Sequence, residues 1–215
     1  MNDLIIGCST NYDWSKLKYW INSINKSGFK GEKVMLLMNC DKDTVQKIHD
    51  AGFNIIGFRQ DNDGNLIYQS SIPVHVERFL HIHNFLKDKD YRYVITTDVK
   101  DVVFQKDPIA FLEEHLGDKN MMFASESMRY IDEPWGNENL FQTYGNYIYD
   151  HFKKNEIFNV GVLAGRGHAM RDMVMNIFAA AIGRPIPICD QSTFNFMISQ
   201  EPYKSTSKYM RSETG

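Results

Sequence analysis

Short apolar runs alternate with stretches of helical periodicity along this chain. Residues 4–8 read as a buried strand, residues 33–38 as a second and residues 53–58 as a third. Between them, Asp13 can cap a helix whose Leu17, Trp20, Ile21 and Ile24 share one face. A further helix over residues 43–51 turns Val45 and Ile48 inward before Gly52 closes it. This βαβαβ order predicts a parallel sheet covered by helices. Beyond a polar loop at residues 60–65, Pro73 stands in the first turn of a long helix that runs to about Leu86. Val76, Phe79, Leu80 and Leu86 form its apolar stripe. A strand entering residue 97, a helix over residues 108–116 and a strand over residues 121–124 follow. Residues 158–164 read as a strand-like return, and Met170, Met173, Val174, Ile177 and Phe178 mark an amphipathic helix. A last helix begins at Asp190. The pattern loosens over residues 125–156, where aromatic residues stand among polar ones and glycines, and residues 205–215 form a polar tail expected to be loose. The prediction is one α/β domain over residues 1–204, with a central, mostly parallel sheet flanked by helices, followed by the tail 205–215.

Composition narrows this little. The 215 residues are 43% hydrophobic and 24% charged, as in a water-soluble globular domain, with ample Phe, Tyr and Met for a core. A net charge of -3 gives no electrostatic reason to expect nucleic acid. The three cysteines, Cys8, Cys40 and Cys189, are scattered and show no CxxC pair, so a reducing compartment and a cytoplasmic location are expected. No basic, long apolar leader precedes residue 4, and no window approaches the ~20 apolar residues of a membrane span. His81 and His83 lie two apart on a helix and do not share a face, which speaks against zinc.

The chemistry concentrates in Tyr93-Val-Ile-Thr-Thr-Asp98-Val-Lys-Asp101-Val-Val-Phe. An apolar run enters two carboxylates and another leaves them. In an extended strand positions 98 and 101 point apart, so they converge only if the chain turns between them. Two hard oxygen ligands at a strand end suit a divalent cation that keeps positions open for phosphate oxygens. Either Asp alone is equally an Asx-turn that ends the strand. In open α/β sheets ligands bind beyond the carboxyl ends of strands, so residues 9–12 and 98–101 can line one crevice. The loop after the first strand lacks the glycines of a dinucleotide fold or a P-loop.

These residues resemble GT-A glycosyltransferases, in particular the glycogenin- and galactosyltransferase-like members. Asp98-Val99-Lys100-Asp101 is similar to that fold's metal-binding DxD motif with one residue added, and Phe104 to Pro108 is similar to the stretch after it. Phe158-Asn159-Val160-Gly161-Val162-Leu163 resembles the Asn-x-Gly segment that faces donor and acceptor. Cys189-Asp190-Gln191 resembles the Asp-Gln segment. The three motifs keep the family's order over most of the chain. The late His that many relatives give to the metal is missing, since no His follows His168.

The resemblance implies a metal-dependent hexosyltransferase that moves a sugar from a nucleotide-diphosphate sugar to a hydroxyl acceptor, a glycan or glycolipid precursor. It implies Mn²⁺ or Mg²⁺ on Asp98 and Asp101, and a nucleoside site at Ser9, Thr10, Asn11 and Tyr12. It also implies donor or acceptor contacts from Arg78, Asn159 and Gly161, and catalytic roles for Asp190 and Gln191. A retaining mechanism is slightly favoured through Gln191. Structural roles are open for each: a solvated or salt-bridged helix Arg at 78, a plain loop-and-cap segment at 9–12, a bulge or strand-end turn at 159–161, and a helix N-cap at 190 worth ~1 kcal/mol. Glu126 follows a strand end and can face the cleft. The aromatics between Tyr130 and Tyr149 serve core, lid or sugar stacking. A sugar-phosphate nucleotidyltransferase and a non-catalytic nucleotide- or glycan-binding protein are the rival readings.

Overall fold

Strand β1 (Asn2–Ser9) lies inside the sheet, with buried apolar side chains on both of its faces. In the computed structural model, which describes residues 2–211, it is followed by α1 (Trp14–Lys26), β2 (Glu32–Leu37), α2 (Lys42–Asp50) and β3 (Asn54–Ile56). A small hairpin, β4 (Arg59–Gln60) and β5 (Leu66–Ile67), leads into α3 (Val74–Leu86) and β6 (Tyr91–Thr97). The order is completed by α4 (Pro108–His115), β7 (Met121–Arg129), α5 (Pro134–Phe152), β8 (Glu156–Arg166), α6 (Gly167–Ala181), α7 (Asp190–Ile198), α8 (Tyr203–Thr206) and β9 (Ser207–Met210).

The seven-stranded sheet runs β3-β2-β1-β6-β8-β7-β9. β1 pairs in parallel with β2 and β6, and β8 lies antiparallel between β6 and β7. The sheet is thus mostly parallel and covered on both sides, as the βαβαβ pattern predicted. Side-chain alternation divides the core. Leu4, Ile6 and Val94 face α3, α6 and α7, whereas Ile5, Tyr93 and Ile95 face α1, α2 and α4. On that second face, Trp20 Nε1 donates to Thr97 Oγ1 at 2.7 Å. This buried bond ties α1 to the last residue of β6, one position before Asp98.

Four expectations need correction. The third strand stops at Ile56 rather than residue 58, because Leu66 of the hairpin packs onto Gly57 with 2.5 Å to where a Cβ would stand. Residues 125–156 are ordered: β7 runs on to Arg129, and α5 follows with its own small core of Tyr130, Leu140, Phe152 and Ile157. Gly145, at φ 71°, breaks that helix and hid its periodicity. The tail is not loose throughout. Ser207–Met210 pairs in parallel with β7, and Tyr209 packs against Phe123 and Phe158 while its hydroxyl donates to Ile198 O at 2.7 Å. The rest of the expected tail beyond residue 211 lies outside the described residues. Finally, Asp190 is not the N-cap of α7. That position belongs to Cys189, and the Asp190 carboxylate points elsewhere.

Gly7 lets β1 pack closely against the acidic bend. A Cβ there would lie 2.5 Å from Val99 Cγ1 and 2.9 Å from Trp20 Cη2. Gly7→Ala is expected to cost about 1–3 kcal/mol through overpacking. Urea midpoints equal to wild type would show that Val99 gives way freely.

Candidate functional site

The crevice opens beyond the carboxyl ends of β1 and β6. β6 ends at Thr97, and Asp98 N donates to Gly161 O at 2.7 Å, holding the start of the bend against β8. Val99 is buried, while Lys100 and Asp101 are exposed. The chain therefore turns between the two carboxylates, as convergence requires. Asp98 keeps 45% of its side chain exposed.

Arg78 is the hub. It stands on α3, its side chain only 13% exposed, and its guanidinium bonds Asp98 through Nη1 and Asp190 Oδ2 through Nη2 at 3.1 Å. Burial opposes its charge, but Asp98 and Asp190 outweigh that and hold its pKa above the ordinary value. Asp190 is buried at the first position of α7. Burial pushes its carboxyl pKa up, with Arg78 and then His75 pulling the other way. Arg78 is thus a salt-bridged helix residue, as one of its structural readings had it, and not a solvated one. Its Nε is buried without a partner among the described residues. Cys8 lies below, its thiol pushed up to about 12 by burial, which makes it a poor nucleophile.

On one side of this hub is a cavity of about 470 Å³ lined by Thr10, Asn39, Tyr68, Ser70 and Glu77, among others. Asn39 braces the loop after β1: its Nδ2 donates to Thr10 Oγ1 at 3.2 Å, and its carbonyl accepts Asn11 N at 2.9 Å. Asn11 adopts φ 57°, a left-handed conformation that an Asn tolerates. Glu77 is buried and accepts from Tyr68 Oη and Ser70 Oγ, both at 2.7 Å. Of the four loop residues singled out in the sequence, Thr10 lines the cavity and Asn11 is exposed beside it. Ser9 is buried, and Tyr12 leans on the α1 face of the core. Asn39, Tyr68 and Glu77 were missed. Asn39 stands just past β2, and the rule that ligands gather beyond strand ends could have found it.

On the other side, Asn159 Oδ1 accepts Gly161 N at 2.7 Å. A Cβ at residue 161 would collide with Asp98 Oδ2 and stand 2.8 Å from Asn159 Oδ1, so glycine lets β8 approach the acidic bend. Asn159 Nδ2 and Gln191 Nε2 both donate to Glu126 Oε1, at 3.1 and 2.7 Å. Gln191 Oε1 accepts Val160 N at 2.8 Å. Glu126 and Gln191 then line a pocket of about 300 Å³ with Tyr130, Glu133, Trp135, Gly136 and Ile157. The largest hollow, about 1060 Å³, lies elsewhere, between the end of α5, α7 and β9, and holds none of the predicted site residues. Convergent charged and amide groups favour the crevice as the site.

The acidic bend offers carboxylate oxygens, the hard donors that a divalent cation takes. Asp98 has one oxygen on Arg78 and the other against Gly161, and Asp101 is exposed. Among the described residues no group of three or more His, Cys, Asp or Glu forms around it.

Two solved structures share the fold. One is the glycosyltransferase GlyE of Streptococcus pneumoniae, with TM-score 0.50 and 11% identity over 98% of this chain and 45% of GlyE. The other is 4-diphosphocytidyl-2C-methyl-D-erythritol synthase of Anaerococcus prevotii, with TM-score 0.52 and 14% identity over 98% of this chain and 88% of the synthase. The chain thus spans less than half the length of GlyE. No family model and no curated protein sequence matches the chain. No helix among the described residues is long and apolar enough to cross a membrane.

Arg78→Leu leaves two carboxylates facing each other, one of them buried. Removing one partner of a buried pair costs about 3–5 kcal/mol. Asp190, already raised, rises further without the cation. A carboxyl raised in the folded state favours folding in acid and loses that advantage as pH climbs through its folded value. The variant's deficit is therefore expected to be widest near about pH 7.5 and to narrow toward about pH 5. Urea midpoints at both pH values test this, and a deficit independent of pH would refute the ion-pair account.

Proposed function

We propose that this chain is a glycosyltransferase of the hexosyl type that takes its sugar from a nucleotide-diphosphate donor, with Mn²⁺ or Mg²⁺ at Asp98 and Asp101. The observation that carries this is the Asp98–Arg78–Asp190 cluster at the mouth of the parallel strands, with a hydroxyl- and amide-lined cavity on one flank. That flank suits a nucleoside. Thr10, Asn39, Tyr68 and Glu77 offer donors and acceptors for ribose and base. Asp98 and Asp101 would hold the cation, which neutralises the departing diphosphate.

The protein's own groups then divide the work. Arg78 stands between Asp98 and Asp190 and offsets the charge of both. Gly161 lets β8 lie against Asp98, and Asn159 is held by Gly161 N and Glu126. The likeness to GlyE supports a fold suited to this chemistry. Retention, implied by the Asp190-Gln191 resemblance, would ask the Gln191 side chain to serve the sugar. Its amide is instead held at both ends by Val160 N and Glu126. The acceptor in this reading is a saccharide hydroxyl, with Trp135 and its neighbours beside the cleft.

A panel of nucleoside diphosphates, with and without Mn²⁺, tests the reading by thermal denaturation. A binder at about 100 times its Kd stabilises by about 2.7 kcal/mol, or roughly 5–10 °C for a chain of this size. Asp98→Asn with Asp101→Asn should remove the Mn²⁺-dependent part of that binding in calorimetry and leave the fold intact. Unchanged Mn²⁺-dependent binding in the double variant would remove the metal from the proposal.

A further inference from the structure

We infer that Glu126 is the base of the transfer, taking the proton from the acceptor hydroxyl, and that the reaction inverts the anomeric centre. This deepens the nucleotide-sugar reading above and rests on it. Three observations converge on Glu126. First, β7 breaks register with β8 between Ser125 and Arg129, and Ser127, the next residue, stands at φ 55°. A left-handed non-glycine residue in a bulge persists only where its surroundings impose it, and the bulge re-aims the side chain beside it. Second, Gln191 and Asn159 aim both their amide groups at one oxygen of this carboxylate, Oε1. Each amide is itself locked by a main-chain N–H, Val160 and Gly161 respectively. Two fixed donors on one oxygen set the carboxylate's orientation. Third, Oε2 accepts no hydrogen bond among the described residues, and the residue lines the pocket beside Trp135.

The position suits the task. Through Asn159 and Gly161, Glu126 adjoins Asp98, and through Gln191 it adjoins Asp190. The donor crevice is therefore on one side of it. On the other side is the pocket of about 300 Å³, whose Trp135 is 54% exposed and offers an indole face to a saccharide ring. A carboxylate between donor and acceptor receives the acceptor's proton as the acceptor oxygen bonds to the anomeric carbon. The bond from that carbon to the diphosphate oxygen breaks in the same step, and its electron pair leaves with the nucleoside diphosphate. Attack from the side opposite the leaving group inverts the centre. Gln191 and Asn159 act as positioning residues for Glu126.

The test uses the intact protein with a turned-over nucleotide sugar and a saccharide acceptor. NMR of the wild-type product is expected to show an inverted anomeric configuration. Glu126→Gln is expected to lower kcat by about 10²–10⁴-fold, with nucleoside diphosphate affinity within about twofold of wild type. It should also lose the acid limb of the pH profile, which Glu126→Asp should partly restore. A retained configuration, a sugar covalently attached to Glu126, or a Glu126→Gln enzyme at wild-type rate would each overturn the assignment while leaving the nucleotide-sugar reading intact. Absence of any sugar turnover by wild type across the donor panel would overturn both. If Glu126→Gln does not fold, the wild-type stereochemistry alone decides.

Discussion

A guanidinium buried between two carboxylates holds the site together. Arg78, Asp98 and Asp190 come from α3, the end of β6 and the start of α7, elements far apart in sequence. Each charge would be costly alone in that position, because desolvation of an ion is recovered only when a partner lies in good geometry. Together they form a triad in which removing Arg78 leaves the buried Asp190 without its cation. Such a cluster is weak evidence for stability as such, since apolar residues of like size would serve the core as well. Its use lies in specifying where three elements end. Asp98 is brought to the mouth of the sheet with one oxygen on Arg78 and the other against Gly161.

The crevice is polar along its whole length, and the sheet explains why the groups fall in order. β1 runs parallel to β6, so the loops after both emerge on one rim. β8 lies antiparallel to β6 and passes its Asn159-Val160-Gly161 segment along that rim, close enough that residue 161 must be glycine. Opposed directions at neighbouring strands turn a row of loops into a cleft with two walls. The nucleoside-sized cavity lies on the β1 and α3 wall, and the pocket beside Trp135 on the β7 and α5 wall.

Much of this was legible in the chain. Apolar alternation gave the strands and their buried faces. The Asp98 to Asp101 spacing demanded a turn, and the bend with Val99 buried is that turn. Asn159, Gly161, Asp190 and Gln191 stood out as a group, and the structure joins them to Glu126 and Arg78. What stayed hidden had physical causes. Glu77 and Tyr68 look like ordinary helix and loop residues until α3 packs and buries the carboxylate with its two hydroxyl donors. The helix after β7 was obscured by Gly145, whose left-handed backbone interrupts the period. β9 was invisible because an edge strand of four residues among polar neighbours carries no alternation long enough to read.

Gln191 shows how far motif and geometry can part. By position it looked like the group beside the sugar, yet its amide oxygen accepts Val160 N–H and its amide nitrogen serves Glu126. An amide committed at both ends makes a good brace, because its geometry is fixed before any ligand arrives. A carboxylate braced on one oxygen is the complementary case: oriented, and with acceptor capacity in reserve. The strained turn at Ser127 fits the same logic. A left-handed serine persists only where surrounding contacts impose it, and its amide donates to Ser125 Oγ at 2.8 Å while that hydroxyl engages Glu156. The bulge thus stands on a fixed polar base, which places Glu126 between the Asn159–Gly161 segment and the pocket beside Trp135.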